Sequence, residues 1–300
     1  LFRSRIAFRL ARRFAMLLYR VRLNYADRAA LQALPRAASP VLVINHRSNM
    51  DYVLVAFLAA ERVAVSFAVG EWARVWPLDR LTRSLGGFFA RRGSGNPLYR
   101  KVLECYVQTA TANRVTQAMF LEGGLSRDGR IQPPRFGLLS YLVRAAARPD
   151  VSDVVLIPVA INYDRVLEDR TLIAGREGYG YGPSRLQAAI TAARWIGKNL
   201  VLYVRGRLQR FGYACVNVGE PISLKACLAQ IESAAGASAD GSTHTPTEHL
   251  ATLLMAEIAA GVPVTPVSLV ATALLSFDAD APTRSALDRK STRLNSSHRT

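Results

Sequence analysis

The stretch Pro40-Val-Leu-Val-Ile-Asn-His-Arg-Ser-Asn-Met-Asp51 decides how this chain of 300 residues is read. Its first half is apolar and free of charge, which predicts a buried strand over residues 41–45. Its second half is polar and sets His46 and Asp51 five positions apart, just past the end of that strand. A neutral imidazole takes up a proton near pH 7, and a nearby carboxylate fixes its tautomer and stabilises the imidazolium that forms. The same division of labour underlies the His–Asp half of a serine protease triad, but no protein nucleophile is needed when the substrate brings its own hydroxyl. The pair points to direct transfer of a group onto an alcohol.

Outward from this stretch, apolar runs at residues 63–69, 87–91, 117–121, 154–162 and 200–206 predict further strands. Residues 51–60, 98–113 and 134–147 predict the helices between them, and 248–260 and 267–277 predict two more. Such alternation predicts an α/β fold, a sheet with helices on both faces. Ligands of such sheets gather at the carboxyl ends of the strands. His46, Arg91, Arg92, residues 122–130 and Asn162 all fall just beyond predicted strand ends, so they are expected on one edge. Gly123 and Gly124, ahead of Ser126 and Arg127, permit a tight turn with backbone N–H groups aimed at an anion. No Gly-Lys-Ser/Thr follows, so it is no Walker loop and nothing supports nucleotide hydrolysis. The guanidinium forks of Arg91 and Arg92 suit phosphate.

Half of the residues are hydrophobic, enough for a large core, and the formal charge of +17 calls for an anionic partner. Residues 2–23 hold Arg3, Arg5, Arg9, Arg12, Arg13, Arg20 and Arg22 and no acid. Among them Ile6, Leu10, Phe14, Leu17 and Val21 recur at helical spacing. Residues 1–24 are therefore expected to form a basic amphipathic helix, docked on its own domain, lying among anionic lipid headgroups, or both. The basic residues are not interleaved with aromatic ones, which argues against a nucleic-acid binder. No apolar run reaches transmembrane length and no signal peptide is expected. Cys105, Cys215 and Cys227 are scattered outside any ligand spacing, so neither a disulfide framework nor a zinc site is expected. The chain begins at Leu1 and reads as a fragment, with its main domain over 25–232. A glycine-rich loop is expected at 175–183, a linker or mobile loop at 233–247, and a truncated helical part at 248–282. The polar tail 283–300 looks non-native and is set aside.

Four blocks carry a resemblance. They are His46-Arg-Ser-Asn-Met-Asp51 with Tyr52; Gly86-Gly-Phe-Phe-Ala-Arg-Arg92 with Asn96-Pro-Leu-Tyr99; Phe120-Leu-Glu-Gly-Gly-Leu-Ser-Arg-Asp-Gly-Arg130; and Ile157-Pro-Val-Ala-Ile-Asn-Tyr-Asp164. Tyr213-Ala-Cys-Val-Asn-Val-Gly-Glu-Pro221 follows later. Together they resemble the glycerol-3-phosphate acyltransferase family, in its bacterial membrane-bound branch, over roughly residues 15 to 277. The resemblance implies a central mixed, mostly parallel sheet flanked by helices. It also implies transfer of an acyl chain from acyl-CoA or acyl-carrier protein to the 1-hydroxyl of glycerol 3-phosphate, the first step of phospholipid synthesis. In that scheme His46 is the base and Asp51 orients it. Arg91, Arg92 and Arg127 hold the phosphate, Glu122 orders the arginines, and Pro158 shapes the acyl side. The implied substrate-binding set also includes Arg47, Phe89, Gly123, Gly124, Ser126 and Arg130. The family pattern has Arg where this chain has Leu125, which leaves Arg127 and Arg130 to keep the loop basic. No metal or redox cofactor is implied, and the expected location is peripheral, on the cytoplasmic face of the inner membrane. Acyl transfer to lysophosphatidate or dihydroxyacetone phosphate would use the same pair, and an inactive membrane-binding module is the alternative of another class.

Overall fold

Short apolar runs pair into one eight-stranded mixed sheet in the computed structural model, which describes residues 2–59, 65–70, 74, 78–91, 93–168, 197, 201, 205, 210–237 and 245–277. The strands are β1 (Arg20–Tyr25), β2 (Ala38–Ile44), β3 (Val65–Gly70), β4 (Gly87–Ala90), β5 (Thr116–Phe120), β6 (Asp153–Tyr163), β7 (Tyr213–Val218) and the short β8 (Ile222–Ser223). Their order is β1-β7-β6-β2-β5-β3-β4, with β8 beside β6. Strands β2 to β6 are mutually parallel, β7 runs antiparallel to β6, and β1 is parallel to β7. The sheet is thus α/β, mixed and mostly parallel, as the sequence predicts.

Helices cover both faces: α1 (Phe2–Leu18), α2 (Arg28–Gln32), α3 (Met50–Ala59), α4 (Leu78–Ser84), α5 (Pro97–Ala112), α6 (Phe136–Ala146), α7 (Leu224–Ala237), α8 (Pro246–Ala260) and α9 (Pro266–Leu275). Strand β2 lies between β5 and β6, with Val41, Val43 and Ile44 buried on alternate faces, which is why its sequence reads as a continuous apolar run. One core joins α1 and α3 to the sheet through Ala15, Leu18, Leu54 and Val55; the other joins α6 and α8 through Leu139, Leu142, Leu254 and Ile258. Helix starts are written in local chemistry. Asn96 accepts from the N–H groups of Leu98 and Tyr99 with Pro97 next to it, and Thr245 with Glu248 forms a reciprocal cap on α8. Gly86, at φ +91°, turns α4 into β4 where an added Cβ would stand 2.1 Å from the Val65 carbonyl oxygen. Only glycine fits there.

Several expectations are corrected. The N-terminal helix stops at Leu18, and residues 20–25 form β1, with Arg20, Arg22 and Asn24 exposed in alternation. Pairing with β7 in the register Arg20↔Tyr213 overrides the helical spacing there. The docked face of α1 is Ala11, Ala15 and Leu18, whereas Leu10 and Phe14 of the expected apolar side are exposed, as is Met16. Small residues let α1 approach α3 closely, so the larger ones turn outward. Strands β1, β7 and β8 are additions to the predicted set. Of the expected strand at 200–206 only Val201 and Arg205 are described, and the Arg205 N–H donates to the Val201 carbonyl at 3.0 Å, a helical bond. Helix α7 runs to Ala237, into the linker expected at 233–247, and α8 begins at Pro246. The loop at 175–183 and the tail at 283–300 lie outside the described residues. Among the described residues no helix is long and apolar enough to cross a membrane.

Candidate active site

Strand β2 ends at Ile44, and α3 starts at Met50, so the intervening turn presents His46 at the carboxyl edge of the sheet. Asn45 anchors this turn to β6: its side chain donates to the Ile161 carbonyl at 3.0 Å and accepts from the Ile161 N–H at 2.7 Å. Ser48 starts the helix, its carbonyl accepting from the Asp51 N–H and its Oγ from the Met50 N–H. Asp51, in the first turn of α3, folds back over the turn.

The two catalytic candidates meet as expected, with His46 Nδ1 2.9 Å from Asp51 Oδ2 and both side chains buried. The same oxygen accepts the N–H groups of Arg47 at 2.7 Å and Ser48 at 3.0 Å. Its partner Oδ1 accepts the phenol of Tyr163 at 2.5 Å, from the end of β6. Every neighbour of the carboxyl group is a donor, so the imidazole hydrogen sits on Nδ1 and the Nε2 lone pair is left to act as a base. Burial, then the adjacent Asp51 charge, pushes the Tyr163 phenol well above its ordinary range, so it stays a donor. On the other side, the His46 ring stacks on Phe120 at 4.2 Å and meets Tyr52 edge-on at 5.3 Å, with the Tyr52 hydroxyl 3.4 Å from Nε2.

Tyr52 and Phe120 also line a cavity of about 680 Å³. Gly70, Ala90 and Phe120, the last residues of β3, β4 and β5, reach it, so it lies at the carboxyl edge. Among the described residues three arginines line it, Arg91, Arg100 and Arg135, and no carboxylate does. Apolar and aromatic walls come from Tyr99, Leu103, Leu138 and Tyr141 of α5 and α6. The chamber suits a ligand that is anionic at one end and apolar at another.

The third block supports the first. Glu122, buried, accepts the His46 N–H at 3.0 Å through one oxygen and the Gln132 N–H at 2.9 Å through the other. Burial raises its pKa, opposed by these two hydrogen bonds and by Arg47. The Ser126 N–H returns to the His46 carbonyl at 2.9 Å, and its Oγ donates to the Arg130 carbonyl at 2.7 Å. Glu122 and Ser126 therefore hold the backbone of the base rather than face the cavity. Gly123, at φ +66°, lines the cavity, and an added Cβ would stand 2.7 Å from Arg135 Cγ. Gly124 and Leu125 are half-buried.

The expected phosphate-binding residues divide. Arg91 lines the cavity, its backbone N–H bonded to the Tyr99 hydroxyl at 2.7 Å. Arg92 lies outside the described residues. Arg127 and Arg130 are exposed and do not line the cavity. Arg47 donates to the Gly129 carbonyl, its Nε is buried without a hydrogen-bond partner, and burial lowers its pKa against the pull of Glu122, Asp51 and Asp128. Phe89 is half-buried with the guanidiniums of Arg74 and Arg83 stacked on it at 5.8 and 5.6 Å. Pro158 is buried inside β6 opposite Val43, and its carbonyl accepts the Gly219 N–H; it too stands away from the cavity. Sequence reasoning missed Arg100, Arg135, Tyr163 and Glu168. The last accepts from Ser48 Oγ at 2.7 Å and the Asn49 N–H at 3.0 Å. Tyr163 stands inside the fourth block, which is a signal; Arg100 and Arg135 lie just past the second and third blocks and had none.

Fold and site define an α/β protein with a buried histidine–aspartate base behind a cationic cavity. A family model described as acyltransferase matches residues 29–162, and one for the glycerol-3-phosphate acyltransferase C-terminal region matches residues 198–298. A glycerol-3-phosphate acyltransferase of Pseudomonas putida is 33% identical over 279 residues, which is 90% of this chain and 32% of the relative. One from Pseudomonas fluorescens is 32% identical over 278 residues, 89% of this chain and 31% of the relative. The chain thus spans about a third of the length of these curated relatives. Among solved structures, the 1-acyl-sn-glycerophosphate (LPA) acyltransferase of Thermotoga maritima aligns at TM-score 0.48 and 16% identity, over 85% of this chain and 78% of that one. The chain is thus similar to the glycerol-3-phosphate acyltransferase family.

Proposed function

We propose that this chain carries the catalytic centre of a glycerol-3-phosphate acyltransferase, moving an acyl group from a thioester of coenzyme A or acyl-carrier protein to the 1-hydroxyl. The observation that carries the reading is the His46–Asp51 pair, whose Nδ1 side is fixed by a carboxyl group with four donors, beside a cavity with three arginines. In the reaction, His46 Nε2 removes the hydroxyl proton as the oxygen attacks the thioester carbon. The tetrahedral oxyanion then collapses, the C–S bond breaks, and the imidazolium returns the proton to the leaving thiolate. The products are 1-acylglycerol 3-phosphate and the free thiol. Arg91, Arg100 and Arg135 supply the cationic wall for the phosphate of the acceptor. The N–H groups of His46, Arg47, Ser48, Gly123 and Ser126 are already bonded within the protein, so the oxyanion draws on donors other than these. One such donor is worth about 3–4 kcal/mol in other acyl-transfer enzymes.

We further propose a peripheral location on the cytoplasmic face of the inner membrane. Exposed arginines and exposed Leu10, Phe14 and Met16 on one helix suit anionic headgroups and the acyl boundary beneath them. The test of activity measures labelled acyl transfer by the purified chain to glycerol 3-phosphate, lysophosphatidate and dihydroxyacetone phosphate in parallel. His46→Ala should lose on the order of 100- to 10,000-fold in turnover while remaining folded. Turnover near wild type in that variant, or a preference for either other acceptor, overturns the reading.

A further inference from the structure

A second cavity, of about 440 Å³, opens where α1 meets β1, and it shares no residue with the catalytic one. Four arginines line it: Arg12 from α1, Arg20 and Arg22 from β1, and Arg210 just before β7. Among the described residues its remaining walls are Met16, Tyr19, Val21 and Phe57. All four arginines are exposed, and among the described residues none has a carboxylate within ion-pair distance.

Three of the guanidiniums are held in place. Arg12 lies over the Phe57 ring at 5.2 Å, and Arg20 and Arg22, two positions apart on one strand face, both lie over Tyr213 at 5.8 Å. Hydrogen bonds from Arg20, then Arg22, hold the Tyr213 phenol below its ordinary pKa. The strand is fixed in turn by the Arg20 N–H on the Gly212 carbonyl and the Phe211 N–H on the Leu18 carbonyl, both 2.8 Å. Four like charges around an apolar floor, three of them fixed by aromatic rings, repel one another, and an anion entering between them relieves that repulsion. Phosphate oxygens match several guanidinium forks at once. The floor adds a demand that free phosphate does not meet, an apolar part next to the charge. Met16, itself part of the groove wall, is 47% exposed, so the groove has an apolar rim that faces outward.

We propose that this groove binds the phosphate of one anionic glycerophospholipid headgroup, with the apolar part of that lipid meeting Met16 and the apolar floor. The proposal rests on the peripheral membrane location above and deepens it: the contact is a discrete headgroup site rather than a diffuse cationic surface. Its position away from the catalytic cavity means that the lipid bound here anchors the chain and is not the acceptor.

The test uses the full chain and vesicles of phosphatidylcholine with and without phosphatidylglycerol at fixed ionic strength. Two variants remove equal charge: Arg20→Gln with Arg22→Gln inside the groove, and Arg9→Gln with Arg13→Gln on α1 outside it. The groove pair should weaken binding to phosphatidylglycerol vesicles at least about tenfold more than the outer pair, with acyl transfer to soluble substrate unchanged. Short-chain phosphatidylglycerol below its micelle concentration should shift the fluorescence or NMR signals of wild type in a saturable way, and inorganic phosphate should need far higher concentration. Equal losses in the two pairs leave the membrane location standing and overturn the discrete site. No binding of wild type to anionic vesicles overturns both. Saturation by inorganic phosphate at the same concentration as the short-chain lipid overturns the headgroup as occupant. Should the groove pair unfold, Arg210→Gln, which lies outside both α1 and β1, gives the same reading with one charge removed.

Discussion

Tyr163→Phe isolates the outermost support of the base. The substitution keeps the ring, and with it the packing on Tyr19 at 5.3 Å, and deletes only the O–H that donates to Asp51 Oδ1. A hydrogen bond to a charged group contributes about 1.5–3 kcal/mol, so stability at pH 8 should fall by that amount. Activity should fall less, about tenfold at most, because Oδ2 still holds His46 and keeps its two backbone donors. The pH dependence supplies the sharper check. The folded Tyr163 pKa is raised well above 10.0 by burial and by Asp51. A raised folded pKa means that its stabilising contribution is intact below the unfolded value and is lost as pH climbs toward the folded one. Above about pH 10 the unfolded chain releases this proton and the native one keeps it, so the wild type loses about 1.4 kcal/mol per pH unit through this group. Phenylalanine has no such proton. Urea unfolding at pH 8, 9, 10 and 11 should therefore show the wild-type advantage constant up to pH 9 and about 1.4 kcal/mol smaller at pH 11. An advantage that is absent at pH 8, or that stays level through pH 11, refutes the assigned bond.

Glu122→Gln should destabilise the chain by about 1–3 kcal/mol, because one amide oxygen cannot accept from both His46 and Gln132. The raised pKa of Glu122 gives a wild-type contribution that is full below about pH 4.3 and declines as pH rises through the folded value, so chemical denaturation should show the gap to Gln narrowing toward neutrality. Gly123→Ala combines a φ of +66° with a Cβ 2.7 Å from Arg135 Cγ, so it should cost about 1–2 kcal/mol by thermal melting. By displacing Arg135 from the cavity it should also raise the KM for the phosphate-bearing acceptor more than it lowers kcat.

The parts of this protein that are legible in its sequence are those where local pattern and burial agree. Strand β2 is buried on both faces, so its apolar run names it, and the turn after it carries His46 and Asp51 within a single local segment. The edge of the sheet is a different matter. Val21 continues the apolar helical spacing of α1 from Leu17, while Arg20-Val-Arg-Leu-Asn-Tyr25 also alternates with the period of a strand, and the pairing of Arg20 with Tyr213, far along the chain, decides for the strand. The same limit governs the site. Motif blocks identify residues that act through backbone geometry, as Glu122 and Ser126 do by tying the third block to His46. The cavity's cations Arg100 and Arg135 come from α5 and from the residue just before α6, and nothing in their neighbourhood distinguishes them from solvated arginines until the sheet brings both helices over one edge. A charge inside a motif block and a charge that lines the cavity are thus different things in this fold: Arg127 is the first and is exposed, Arg135 is the second and sits against Gly123. The glycine at that point follows from the arginine, since any side chain at Gly123 would take the space that the Arg135 stem fills on its way to the cavity wall.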